Sequence, residues 1–463
     1  MSETTPQSEY IIERAIFTAD RLPGTAIAPM DLSGSIAELV IYESIELPYL
    51  TGAVAIADSV KFRDAMGIKG TERLEIALLA TKTSAPIIKT FMITGIDKNI
   101  SVNERTDLIT LTLLEEHAYL SGVMKMSESY TGKPENIINN ILLSQLNKEL
   151  SNEGNVNQQQ RMKVNIPYWM PLQACDWLRD RMSYSYGSPF FLYSSLRDDK
   201  IHLDDLDNLM RKAAWNKSDP YTFSQSAHNQ VPDQVGPDMK RSEFFHVKSY
   251  RAQKIESTFR LAQAGAIGSE FKTMDISSGS FLDNAKHDSR DTLNRLVQSV
   301  ESNSDIDAAI GYDASLVLGN GKAIGELPSK VFSGVVTTGL FYENDGVTTI
   351  SSYHEESKQQ ALYKSKIKSA SLRTILMNNV ITINVPGAPY IAAQQNIGVG
   401  SNLTLNYPAP TQSAESLASG EPSLDKNRSG KFLIYRTMHV FSDGKYNVQM
   451  DIVKLTNKIG GVQ

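Results

Sequence analysis

Residues 429–457, SGKFLIYRTMHVFSDGKYNVQMDIVKLTN, decide the fold class. From Lys431 onward, Phe432, Ile434, Met438 and Val440 share one face of an extended segment. After Asp443-Gly444, the residues Tyr446, Val448, Met450 and Ile452 alternate with Asn447, Gln449 and Asp451. Strand side chains point alternately to two faces, and Asp-Gly suits the tight turns that join paired strands, so the stretch predicts an antiparallel hairpin. Nothing in it is catalytic in character.

Working outward, the same signals recur at the start of the chain. SIAELVIYESIELPYLTGAVAIADS turns at Leu47-Pro48, and RLEIALLAT, IIKTFMITGI and DLITLTLLEE follow at strand length. Short strands without long helices between them imply an antiparallel sandwich or barrel. The period then changes. GKPENIINNILLSQLNKEL has Pro134 at a first helical position, and MPLQACDWLRDRMSYSYG places Leu172, Cys175, Leu178 and Met182 on one stripe, with Gly187 as an end cap. PFFLYSSLRDDKIHLDD reads as a hairpin turning at Arg197–Lys200. Beyond residue 240, FFHVKSYRAQKIESTFRLAQAGAIGSEFKTMDIS reads as strand returning to strand. Helices are expected at 289–302 and from Ser352, with a capping box to Glu355, to about Ser371. Strands resume in TILMNNVITINVPG and NLTLNYP, and residues 408–430 form a polar loop between two paired strands. TGAVAIADS set beside AGAIGSEFKTMDIS hints at an internal repeat. The fold class is therefore mainly β with α+β material between the β parts.

Bulk properties narrow the function classes. The 463 residues suit about two to four domains. A net charge of −6 without a basic stripe argues against sequence-specific nucleic-acid binding. One cysteine excludes an intrachain disulfide, and the polar N-terminus and the absence of an 18-residue apolar stretch argue against membrane insertion.

Motifs for chemistry are weak. The seven histidines include no pair at i, i+4, so a zinc site has no support, and His439 reads as structural. RDDKIHLDDLDN clusters Asp198, Asp199, Asp204, Asp205 and Asp207 but lacks the glycine of a calcium loop, which leaves a solvated turn with an acidic flank. LGNGKAIGE has Leu316 and Ala323 where a phosphate loop needs glycine and a hydroxyl. Cys175 sits on an apolar stripe, as a small buried hydrophobe would. Lys364, Lys366, Lys368 and Arg373 read as a solvated helix face rather than an anion site. No catalytic residue, cofactor site or metal site is assigned.

The order of elements carries a resemblance. The first β part resembles the opening barrel of baseplate hub proteins of contractile-tailed bacteriophages, a tube-to-spike family related to the hub part of type VI secretion spikes. The matching positions are Glu43, Ser44, Pro48, Tyr49, Gly52, Asp58, Gly70 and Glu72. The C-terminal part is similar to the family's second barrel at Val385, Pro386, Gly387, Gly400, Gly430, Lys431 and Phe432, and from His439 through the Asp443-Gly444 turn. The resemblance implies two tube-like antiparallel β-barrel domains (8–117, and 241–275 with 372–457), an α+β domain (118–240) and a helical or irregular insertion (276–371). It further implies a non-enzymatic structural protein of the virion, assembled in the host cytoplasm. Its homotrimeric ring of pseudo-sixfold symmetry would adapt a hexameric tail tube to a trimeric spike. Partners would be the spike protein, tail tube or tube-initiator proteins, and wedge proteins. A cell-wall hydrolase or a carbohydrate-binding β module on the same particle is the alternative.

Overall fold

A computed structural model describes residues 10–19, 28–59, 67–79, 84–103, 106–152, 162–184, 187–223, 244–254, 258–275, 279–287, 317–336, 358–377, 379–392, 397–409, 424–425 and 428–454. The expected helix at 289–302, the Ser352–Glu355 capping box and most of the 408–430 loop lie outside these residues.

The first β module comprises β1 (Ile11–Thr18), β2 (Met30–Asp31), β3 (Ile36–Ser44), β4 (Thr51–Asp58), β5 (Arg73–Leu79), β6 (Ile87–Asn103) and β7 (Thr106–Glu115). The strands pair antiparallel in the order β3-β4-β7-β6-β5-β1-β2. In β7, Ile109, Leu111 and Leu113 are buried while Thr110 and Thr112 are partly exposed, the alternation of a strand with one face on a core.

An α+β unit follows: α1 (Glu116–Val123), β8 (Met126–Gly132), α2 (Pro134–Leu146), β9 (Leu150–Asn152), β10 (Met162–Trp169), α3 (Pro171–Arg179), β11 (Ser183–Tyr184), β12 (Ser188–Ser194), β13 (Ile201–Asp205) and α4 (Leu206–Arg211). Pro134 occupies the first turn of α2. Leu172, Cys175, Leu178 and Met182 are buried in a core shared with α2, β10 and β12, as their spacing predicts. Gly187 does have a left-handed φ of 91°, but α3 stops at Arg179, well before it, because the chain turns there into β11. The acidic stretch also differs from expectation. β12 and β13 form the predicted hairpin, yet Asp204, Asp205 and Asp207 are at most 3% exposed. Each has a nearby donor: Asp205 caps α4 at the Asn208 N–H, Asp204 binds Lys212 at 2.7 Å, and Asp207 binds Arg211 at 2.9 Å. Paired carboxylates can be buried where solitary ones cannot.

The remaining elements are β14 (Tyr221–Thr222), β15 (Ser249–Lys254), α5 (Thr258–Ala264), β16 (Ser269–Asp275), β17 (Ser280–His287), β18 (Val331–Val336), α6 (Lys358–Met377), β19 (Asn379–Pro386), α7 (Ala388–Ala392), β20 (Asn402–Asn406), β21 (Gly430–Ser442) and β22 (Lys445–Val453). A helix, α5, stands where strand was expected to return directly to strand. β16, β17 and β18 form a separate three-stranded sheet. α6 runs six residues beyond Ser371, since Leu372, Ile375 and Leu376 bury one helical face in the main core.

β21 and β22 are the hairpin of the opening stretch. Asp443 and Gly444 have φ of 50° and 69°, the left-handed pair of a type I′ turn. Tyr446, Val448, Met450 and Ile452 are fully buried, as their alternation predicts. On β21 the inward face changes midway. The register slips between Ile434 and Arg436, so Thr437, His439 and Phe441 point into the core, and Met438 and Val440 are only partly buried on the opposite side. One extra residue in a strand inverts every face beyond it.

Beyond that bulge, β21 pairs antiparallel with β3, from Arg436 opposite Ser44 to Ser442 opposite Glu38. This seam merges the β parts into one 13-stranded sheet, whose main path is β15-β19-β22-β21-β3-β4-β7-β6-β5-β1-β2. The hairpin is therefore the joint between the two halves of the chain.

The second β module repeats five strands of the first in the same order. β15, β19, β22, β21 and β20 take the places of β3, β4, β7, β6 and β5. β5 pairs the first part of β6 up to Met92, just as β20 pairs the first part of β21 up to Leu433. At the next residue Ile93 N–H donates to Glu72 O at 2.8 Å, and Ile434 N–H to Ser401 O at 2.9 Å. Both strands then bulge, between Ile93 and Gly95 and between Ile434 and Arg436. The internal repeat suggested by the sequence pairs the wrong segments. TGAVAIADS lies on β4, whose counterpart is β19, whereas AGAIGSEFKTMDIS enters β16 of the three-stranded sheet.

Candidate functional site at the module seam

The seam encloses a carboxylate. Glu43, near the end of β3, is 2% exposed. Its Oε2 accepts hydrogen bonds from the Tyr390 hydroxyl (2.9 Å), the Thr437 hydroxyl (2.8 Å) and the Val399 N–H (3.4 Å), and its Oε1 accepts the Leu196 N–H. His439 Nε2 lies 3.7 Å from Oε2 and 3.1 Å from Thr437 Oγ1, and its Nδ1 is 2.8 Å from the Tyr446 hydroxyl. Burial opposes ionisation of this carboxyl. The nearby His439 imidazole, the Leu196 N–H and the Thr437 hydroxyl outweigh burial and lower its pKa to about 2. The Arg197 guanidinium donates through Nη1 to the Tyr390 carbonyl at 2.7 Å, which ties the β12–β13 turn to α7. One side chain of the first module is thus held by the α+β unit, by α7, by the loop before β20 and by β21. With both oxygens engaged and almost no surface exposed, Glu43 acts as a pin between these segments.

A second polar cluster sits beside it. Arg179, 7% exposed, donates to the Glu46 carbonyl (3.1 Å) and to Asp180 (3.1 Å), and Asp180 also accepts from Arg373 on α6 at 2.8 Å. The Tyr435 hydroxyl donates to Glu46. Arg373, read from the sequence as part of a solvated face, instead lies over the Phe191 ring, 5.2 Å from its centre.

The remaining family-motif positions divide between the seam and the body of the first module. The Pro48 carbonyl accepts from Ser194 Oγ at 2.9 Å and lies 2.7 Å from His117 Nε2, fixing the β3–β4 turn on the α+β unit. A Cβ on Gly52 would lie 2.6 Å from the Val40 carbonyl oxygen, so the close approach of β3 and β4 needs glycine. Asp58 is buried at the end of β4 opposite Asp107. Gly70, at φ 89°, turns the chain so that the N–H groups of Lys69, Gly70 and Thr71 all donate to the buried Glu72 carboxylate. Gly430 starts β21, and Gly400 donates its N–H to the Ile434 carbonyl at 3.0 Å. The structure thus gathers Glu43 and His439 into one network, places Pro48, Gly52, Gly387 and Gly400 around it, and leaves Asp58, Gly70 and Glu72 in the first module. Tyr390, Thr437, Arg197 and Arg179 escaped sequence reading. Each meets the seam only through pairing of distant segments, and no local pattern marks them.

Gly387 follows Pro386 at the end of β19 and donates its N–H to the Tyr446 carbonyl at 2.9 Å. A Cβ there would come within 2.2 Å of the Tyr446 ring. That ring is stacked on Phe441 at 4.3 Å and tied to His439, so it cannot swing away. Gly387→Ala is expected to cost about 1–3 kcal/mol by overpacking, read as a lowered denaturation midpoint.

No protein-family model matches the sequence, and no curated protein does. Among solved structures, a 43 kDa tail protein of prophage MuSo2 from Shewanella oneidensis aligns over 95% of this chain and 98% of its own, with a TM-score of 0.50 and 10% identity. A tail protein from Neisseria meningitidis aligns over 96% and 97%, again with a TM-score of 0.50 and 10% identity. At such identity the likeness is one of fold, and it spans both chains almost completely. The chain has the fold of phage tail proteins, as the resemblance to baseplate hubs implied.

Proposed function

We propose that this chain is the structural hub of a contractile phage tail baseplate. It forms a homotrimeric ring of pseudo-sixfold symmetry that fits a hexameric tail tube on one side and a trimeric spike on the other. The observation that carries this reading is the internal repeat: two β modules of one strand order, joined edge to edge within a single sheet. Three such chains offer six near-equivalent modules, the number needed to bridge threefold and sixfold neighbours. The fold shared with two phage tail proteins over nearly their whole length supports it. The role is mechanical rather than catalytic, since the carboxylate at the seam is enclosed and engaged on both oxygens. On this reading the protein resides in the virion tail after assembly in the host cytoplasm. Spike, tube or tube-initiator, and wedge proteins are its neighbours. Light scattering at micromolar to tens of micromolar protein is expected to give a mass of three copies, and particle images a central channel. A monomer throughout that range would overturn the reading.

A further inference from the structure

The seam within the chain has a counterpart that the chain itself leaves open. β21 leaves β20 at Leu433, bulges, and offers Arg436–Ser442 to β3. β6 leaves β5 at Met92, bulges at the same place, and continues to Asn103 paired with β7 on one side. Among the described residues, no strand pairs the other side of β6 beyond Ile93. β15, the counterpart of β3, pairs β19 and ends the sheet path, with no described strand on its far side. The two open edges are therefore those that, in the other module, join to make the seam.

They also carry surface that suits burial. Ile96 and Ile100 on β6 are 36% and 53% exposed, and Arg251 and Ala252 on β15 are exposed. A long edge bearing exposed isoleucines invites another strand. Resting on the trimeric reading above, we propose that β6 of one copy pairs antiparallel with β15 of the next, in the register of the β21–β3 seam. The repeat sets that register. Thr437 opposite Glu43 corresponds to Ile96 opposite Lys254. β6 has two further bulges that β21 lacks, between Ile96 and Lys98 and between Ser101 and Asn103, and past the first of them the register advances by one residue. Asn99 falls opposite Ala252, and Ile100 opposite Arg251. The contact is head-to-tail, with different edges meeting, as a closed ring requires.

The test is a cross-link between copies. Cα atoms of facing residues in an antiparallel pair lie about 4.5–5.5 Å apart, within disulfide reach. Asn99→Cys with Ala252→Cys, oxidised by diamide, is expected to give covalent dimers and trimers on non-reducing gels. Neither single variant should give this ladder, and the native Cys175 is buried. A three-copy particle that fails to cross-link would overturn the proposed pairing while leaving the trimer standing. A chain that stays monomeric would overturn both. As a second measurement, Ile96→Lys with Ile100→Lys is expected to reduce the particle to single copies without changing secondary structure. Unchanged three-copy mass in that variant would count against the pairing.

Discussion

Glu43→Ala should lower the unfolding free energy by about 3–5 kcal/mol, the cost of removing one partner from a buried charged network. The substitution leaves the Tyr390 and Thr437 hydroxyls and the Leu196 N–H without their acceptor in a site closed to water. The charge of Glu43 can be separated from its shape by pH. Its carboxyl has a pKa of about 2 in the fold against 4.5 ordinarily, so the folded state favours the ionised form. That contribution is complete above the ordinary value and is lost as pH falls from about 4.5 towards 2. A gap of this size corresponds to about 3 kcal/mol. Glu43→Gln keeps the volume and abolishes the titration. Urea denaturation of both proteins should show a stability difference at pH 7 that shrinks by pH 3. Parallel pH profiles would show that the carboxylate is not the pin described here.

Phe441→Ala is expected to cost about 3–5 kcal/mol, against about 1 kcal/mol or less for its neighbour in Val440→Ala. Phe441 is fully buried, stacked on Tyr446 at 4.3 Å and set edge-on to Tyr10 at 5.0 Å, whereas Val440 is partly exposed. The contrast tests the bulge at Tyr435 directly. Without it, Val440 would point inward and the order of the two effects would reverse. Equal losses from the two variants would contradict the face assignment.

Legibility in the sequence followed the range of the forces involved. The β21–β22 hairpin was readable because its turn and its alternation are local. The face of Thr437, His439 and Phe441 was not, since an extra residue at a bulge leaves no mark on composition. α5 was missed because seven residues give less than two clear turns of periodicity. Asp204, Asp205 and Asp207 looked solvated because charge usually is, and only three-dimensional neighbours reveal Lys212 and Arg211 beside them. The β3–β21 seam joins residues almost four hundred positions apart, which no window can see. Glu43 and His439 are among the positions on which the family resemblance rests. It could not say that they meet, or that Tyr390 and Thr437 complete the network.

The enclosed Glu43 also has a mechanical meaning. Where β3 meets β21, a carboxylate rivets the sheet; in the corresponding register of β6 and β15, Ile96 and Lys254 stand instead of Thr437 and Glu43. Six joints around an annulus would then be of two strengths, alternating. On the trimeric reading proposed above, such a collar would part under load along three lines rather than six, between copies rather than within them.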